Sequence, residues 1–192
     1  SIELFHNFTL IHDDIEDRDE MRRGRPTLWK KHGVNHGINS GDALSIIATE
    51  MALESGVAAH TLLRAFREVI EGQYLDFELA DAPREAALIN EHTYLSMISK
   101  KTASLIGASA QCAGITTDQD SRECDRLREF GISLGIAFQL ADDYRSVWSS
   151  SEQTGKDAFG DIREHKRTLP FLIAVEYSKK RDRLQDLFAK DG

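Results

Sequence analysis

Proline is the residue whose placement most restricts this chain. Only Pro26, Pro83 and Pro170 occur in 192 residues, and the stretches between them carry apolar residues at helical spacing. A proline in a helix interior costs about 3 kcal/mol, so long proline-free runs of this period are free to form helices. Leu44, Ile47, Ala48 and Met51 mark one apolar face, and Leu62, Phe66 and Val69 a second. Leu95, Ile98, Thr102 and Leu105 mark a third; Leu127, Phe130, Leu134, Phe138 and Ala141 a fourth. Strand-like alternation with hairpin signals is missing. The pattern predicts an all-α bundle with helices over 2–20, 39–57, 60–80, 86–114, 120–149 and 169–189. Loops are expected at 24–37, 81–84, 116–120 and 150–166. The length suits one domain. Residues 2–10 already read as the middle of a core element and 184–188 are still helical in pattern, so residues 1–192 are expected to be one domain cut at both ends.

Charge removes some functions. Lys and Arg number 24 against 32 Asp and Glu, a net charge of -8. A general nucleic-acid binder or a binder of anionic membranes should be basic, so neither partner is expected, although a local cationic pocket is allowed. The two cysteines, Cys112 and Cys124, lack metal-ligand spacing and read as reduced thiols of a cytoplasmic protein. No apolar run reaches membrane-spanning length, and no signal peptide is visible.

Several apolar faces turn polar at one end. Phe5 and Leu10 lead at helical spacing to Asp13, Asp14 and Asp17, and Phe66 and Val69 lead to Gln73 and Asp76. Ile98 leads to Lys101 and Thr102, and Leu134 and Phe138 lead to Gln139, Asp142 and Asp143. Buried charges are costly unless paired or metal-bound, so these ends point to one shared polar site in a bundle core. Residues 13–17 read DDxxD, which places Asp13 and Asp17 one helical turn apart on one face. Oxygen ligands without Cys or a His pair suit a hard cation such as Mg²⁺. Alone, the motif reads better as a solvated acidic helix end. Arg22, Arg23, Lys101, Lys156 and Lys166 change that balance, because carboxylates facing Arg and Lys suggest a metal held together with phosphate.

Residues 10–44, LIHDDIEDRDEMRRGRPTLWKKHGVNHGINSGDAL, and 138–170, FQLADDYRSVWSSSEQTGKDAFGDIREHKRTLP, together resemble the trans-isoprenyl diphosphate synthase (polyprenyl synthetase) family. Gly72-Gln73, Asp76 and Lys101-Thr102-Ala103 match in order between them. The resemblance implies an isoprenoid-synthase helical bundle with a central cavity, usually a homodimer. It implies Mg²⁺-dependent condensation of isopentenyl diphosphate with an allylic diphosphate, with more than one ion per site. Carried over residue by residue, Asp13, Asp17 and Asp142 would bind Mg²⁺, with Asp14 and Asp143 supporting. Arg22, Lys101, Thr102, Gln139, Lys156 and Lys166 would hold the allylic diphosphate, and Arg23 isopentenyl diphosphate. His12, one step off the Asp13 face, would pack or support. Phe8 and Thr9, five and four residues before Asp13, would set product length, with Phe5 as a further stop. Bulky Phe8 beside small Thr9 resembles geranylgeranyl-type more than farnesyl-type synthases.

Two departures stand out. Ser146 occupies the position of the last carboxylate in the second DDxxD. The family's upstream Gly-Lys-Arg segment is absent, and its C-terminal helices are short or missing. The competing readings are a class I terpene cyclase, which shares the fold but lacks this paired second region, and a non-catalytic partner subunit of a heteromeric synthase.

Overall fold

The computed structural model describes residues 1–82, 90–148, 162 and 166–188. The chain is helical as the spacing predicts. The elements are α1 (Ile2–Glu16), α2 (Leu28–His32), α3 (Val34–Leu53), α4 (Ala59–Asp81) and α5 (Glu91–Ile98). A π-helical turn, Ser99–Ala103, leads into α6 (Ser104–Thr116). Then come α7 (Ser121–Trp148), α8 (Leu169–Tyr177) and α9 (Arg181–Leu187). Among the described residues no helix is long and apolar enough to cross a membrane.

Three boundaries differ from expectation, each for a local reason. The first helix stops at Glu16 rather than residue 20, and Met21–Arg22 pairs antiparallel with Arg25–Pro26. Arg23 and Gly24, at φ 52° and 75°, make the turn. Both positions need positive φ, which Gly adopts freely and Arg only under strain. The expected loop 24–37 contains α2 and the start of α3, separated by Gly33 at φ 92°. Five-residue α2 is too short to show a period. It is tied down when the Trp29 indole N–H and the Thr27 hydroxyl both donate to the Asp19 carbonyl, each at 2.8 Å. The expected helix 169–189 breaks at Ser178, which is extended, into α8 and α9. Of the expected helix 86–114, residues 86–89 lie outside the described residues, and the rest is α5, the π turn and α6.

Two core clusters support the bundle. Phe5, Ala48, Ala52, Leu62, Phe66 and Val69 join α1, α3 and α4, with Phe5 and Phe66 stacked at 3.9 Å between ring centroids. Leu79, Tyr94, Met97, Ile98, Phe171, Leu172 and Val175 join α4, α5 and α8. The expected faces of α3 and α7 need correction. On α3 the buried residues are Gly37, Gly41, Ala48 and Ala52, while Ile47 and Met51 are exposed. On α7 they are Cys124, Gly131, Gly135 and Asp143, while Phe130, Leu134 and Phe138 are exposed. Close helix approach selects small residues. A Cβ on Gly131 would sit 2.7 Å from the Gly107 Cα of α6, and one on Gly41 would collide with the His12 ring of α1.

Candidate active site

The polar ends of four elements meet above the first core cluster. From α1, Asp13 and Asp17 project together one turn apart, and Asp14 turns inward to 4 % exposure. The hairpin brings back Arg22, whose Nε donates to Asp14 Oδ1 at 2.6 Å, with Nη2 3.9 Å from Asp13. From α4, Gln73 donates to Glu16 Oε2 at 2.7 Å and to Asp13 Oδ1 at 3.4 Å. From the π turn, Lys101 donates to Asp76 Oδ2 at 2.7 Å and lies 3.4 Å from Asp13 Oδ1. Lys166 donates to Asp17 Oδ2 at 3.0 Å.

The π turn decides which lysine reaches the site. Its wider winding sends Lys100 to Glu71, at 2.8 Å, on one side and Lys101 into the acidic group on the other. Gly72 permits the approach, since a Cβ there would collide with the Lys101 backbone. π turns often mark functional positions.

Thr102, the next residue, opens a second polar chain. Its hydroxyl donates to Gln139 Oε1 at 2.8 Å, and Gln139 Nε2 donates to Asp143 Oδ1 at 2.8 Å. Buried Tyr94 of α5 donates its hydroxyl to Asp143 Oδ2. Ser146 turns back on its own helix, donating to the Asp143 carbonyl at 2.8 Å. Asp142 is exposed on α7.

Burial pushes the Asp14, Glu16 and Asp17 carboxyls above their usual range, against the pull of Arg22, the Gln73 hydrogen bond and Lys166 respectively. Burial works against the charge on Lys101, yet Asp76, Asp13 and Asp17 together hold its ammonium above its usual value. Among the described residues, Asp13, Asp14, Glu16, Asp17 and Asp76 face Arg22, Lys101 and Lys166 here, five carboxylates to three cations. This surplus of hard oxygen donors fits Mg²⁺. Among the described residues no three His, Cys, Asp or Glu side chains close a metal cage. A cation here would take one or two carboxylates and complete its shell with water and phosphate oxygens, as Mg²⁺ does.

The structure thus gathers Asp13, Asp14, Asp17, Arg22, Lys101 and Lys166 into one group, and Thr102, Gln139 and Asp143 into a second joined to it by the π turn. Asp142 does not join Asp13 and Asp17 in a three-carboxylate cage. Arg23 is exposed at the hairpin tip, and Lys156 lies outside the described residues. His12 packs on Gly41 and Phe8 and contacts the Ile38 carbonyl at 3.2 Å, a packing role. Phe5 and Phe8 line an apolar cavity of about 710 Å³ between α1, α3 and α4, rimmed by Arg67, Glu71 and Lys100. Thr9 is not part of its lining; its hydroxyl bonds the His6 carbonyl. Sequence reasoning gave Glu16 and Tyr94 no role. A tyrosine seven residues before Lys101 is a weak signal, although a buried tyrosine hydroxyl usually needs a partner.

The chain resembles known proteins over most of its length. The chain is 37% identical over 189 residues to the geranylgeranyl diphosphate synthase of Sulfolobus acidocaldarius, covering 94% of this chain and 56% of that one. It is 38% identical over 182 residues to a (2E,6E)-farnesyl diphosphate synthase of Mycobacterium tuberculosis H37Rv, covering 92% of this chain and 50% of that protein. The polyprenyl synthase of Caulobacter crescentus CB15, solved with calcium and isoprenyl diphosphate, superposes with a TM-score of 0.83 at 31% identity, over 97% of this chain and 62% of that chain. The chain therefore spans about half the length of the curated relatives it matches. The polyprenyl synthetase profile matches residues 1–192, and the chain belongs to the polyprenyl synthetase family.

Proposed function

We propose that this chain carries the catalytic site of a Mg²⁺-dependent prenyltransferase that condenses isopentenyl diphosphate with an allylic diphosphate. The observation that carries the reading is the joined set of Asp13, Asp17, Lys101 and Arg22 at the polar end of an apolar bundle. Asp13 and Asp17 would hold Mg²⁺, with Asp142 as a lesser ligand from α7, and the metal would neutralise the charge that develops on the leaving diphosphate. Arg22, Lys101, Thr102, Gln139, Lys156 and Lys166 bind the allylic diphosphate, and Arg23 binds isopentenyl diphosphate. Lys101 stays cationic under its acidic neighbours, so it stabilises the anion through ionisation of the allylic C–O bond. Asp14 anchors Arg22, and Asp143 anchors Gln139. The apolar walls keep water from the allylic cation. No nucleophilic side chain is needed, because the new bond forms between the two substrates and the released diphosphate accepts the final proton.

Product length falls to Phe8 and Phe5, not to Thr9, which does not line the cavity, with a geranylgeranyl product favoured over farnesyl. Phe8 and Phe5 wall the cavity beside α1, so their size bounds the chain it can take. A cytoplasmic homodimer completes the reading. Ile70, Tyr74 and Phe77 of α4 and Ile46 of α3 are exposed and would be covered by a second copy.

Ser146 favours one alternative. It bonds its own helix where a carboxylate would face the site, as suits a non-catalytic partner subunit. Incubating the protein with Mg²⁺, isopentenyl diphosphate and each short allylic diphosphate, then weighing products by mass spectrometry, decides. A linear prenyl diphosphate supports the synthase, a cyclic hydrocarbon a terpene cyclase, and no turnover the partner subunit.

A further inference from the structure

Tyr94 is among the largest fully buried side chains, at 1 % exposure, and its hydroxyl points at Asp143, itself 4 % exposed. Asp143 receives Tyr94 on one oxygen and Gln139 on the other. The Gln139 amide turns its nitrogen to Asp143 and its carbonyl to the Thr102 hydroxyl. The side-chain amide has two N–H groups. With one on Asp143, the other is presented rather than the carbonyl oxygen, which would repel an anion. Asp143 therefore orients Gln139 through one oxygen, and Tyr94 holds the other.

We infer that Tyr94 is a positioning residue of the diphosphate site: its buried hydroxyl fixes Asp143, which fixes the Gln139 amide and, through it, Thr102. This rests on the proposed role of Gln139 and Thr102 in diphosphate binding. Tyr94 lies on α5, Asp143 and Gln139 on α7, and Thr102 in the π turn, so the chain of bonds clamps three elements. The hydroxyl touches no substrate and takes no part in the chemistry.

The test is calorimetric titration of inorganic diphosphate into the protein in Mg²⁺ buffer. Tyr94→Phe is expected to weaken binding at least 5-fold and to raise KM for the allylic diphosphate more than it lowers kcat. Leu62→Ala, a core change remote from this chain of bonds, lowers the melting temperature but leaves diphosphate affinity at the parent value. Gln139→Leu weakens binding, and adding Tyr94→Phe to it weakens binding no further, since both act through one amide. Parent-like affinity in Tyr94→Phe, equal weakening in Leu62→Ala, or additive losses in the double variant would each overturn the inference while leaving the prenyltransferase reading intact. A parent protein that binds no diphosphate overturns that reading, and this inference with it.

Discussion

The two aspartate pairs, Asp13-Asp14 on α1 and Asp142-Asp143 on α7, look alike in sequence and share one structural logic. In each, the second aspartate is buried to 4 % exposure and held by donors, while the first is more open: Asp13 is part-buried and Asp142 exposed. The donors differ. Asp14 is held by the half-buried guanidinium of Arg22, a charge that salt and water can reach. Asp143 accepts from Tyr94 and Gln139 deep between α5 and α7. The third position differs as well. Asp17 adds a carboxylate paired with Lys166, whereas Ser146 adds a hydroxyl bonded to its own backbone. A doubled aspartate is therefore one working group and one anchor. The α1 copy supplies charge to the site, and the α7 copy chiefly supplies a scaffold.

This contrast can be broken most visibly at the more open residues. On the proposed function, Asp13→Asn should lower the condensation rate by about 10²–10³-fold, the scale of losing one preorganised electrostatic group, with little change in melting temperature. Ser146→Asp should leave the rate within several-fold of the parent, because α7 acts mainly as scaffold. Steady-state kinetics at saturating Mg²⁺ measures both. The anchors should show the opposite pattern. Asp143→Ala deprives Tyr94 and Gln139 of an acceptor where water does not reach, and should cost about 1–3 kcal/mol by denaturant unfolding. Asp14→Ala frees Arg22 to hydrate and should cost less than Asp143→Ala. Equal losses would remove the distinction between an anchor whose partner water reaches and one sealed between helices.

A smaller effect concerns pH. The folded state raises the carboxyls of Asp14, Glu16 and Asp17. Between the usual carboxylate range and these raised values the folded protein holds protons that the unfolded chain has released. Stability therefore falls as pH rises through that window. Metal-free protein should be more stable at the acidic end of the window than at neutral pH, and added Mg²⁺ with diphosphate should narrow the difference. Urea unfolding across pH, with and without both, checks it. The smallest effect is expected at the cavity. Phe8→Ala should lengthen the product by one or more isoprene units, read by mass spectrometry, with a modest loss of stability because Phe8 is only partly buried.

Much of the α1 side was legible because its signals are local. DDxxD places Asp13 and Asp17 on one face, and Arg22 follows within a tight hairpin, so charge pattern and proximity coincide. The α7 side was less legible. Its large apolar residues Phe130, Leu134 and Phe138 suggested the core face, but the glycines at 131 and 135 pack against α6 and set the helix rotation. Size, not hydropathy, decided which side is buried, and a hydrophobic-periodicity reading sees only the latter. The hairpin at 21–26 was missed because two residues per strand leave no alternation to detect. The π turn left no mark in spacing, yet it separates Lys100 from Lys101 and gives the two lysines different partners. Tyr94 was invisible as a site residue because its partner lies 49 residues away on another helix.

The most direct measurement is the initial rate of linear prenyl diphosphate formation from isopentenyl diphosphate and an allylic diphosphate, for the parent and Asp13→Asn, across Mg²⁺ concentrations. A parent rate that rises from zero with Mg²⁺, and a variant rate at least 10²-fold lower at every concentration, is the expected result. Formation that is independent of Mg²⁺, or equally fast in Asp13→Asn, would contradict the assignment of α1 as the metal-binding wall of the site.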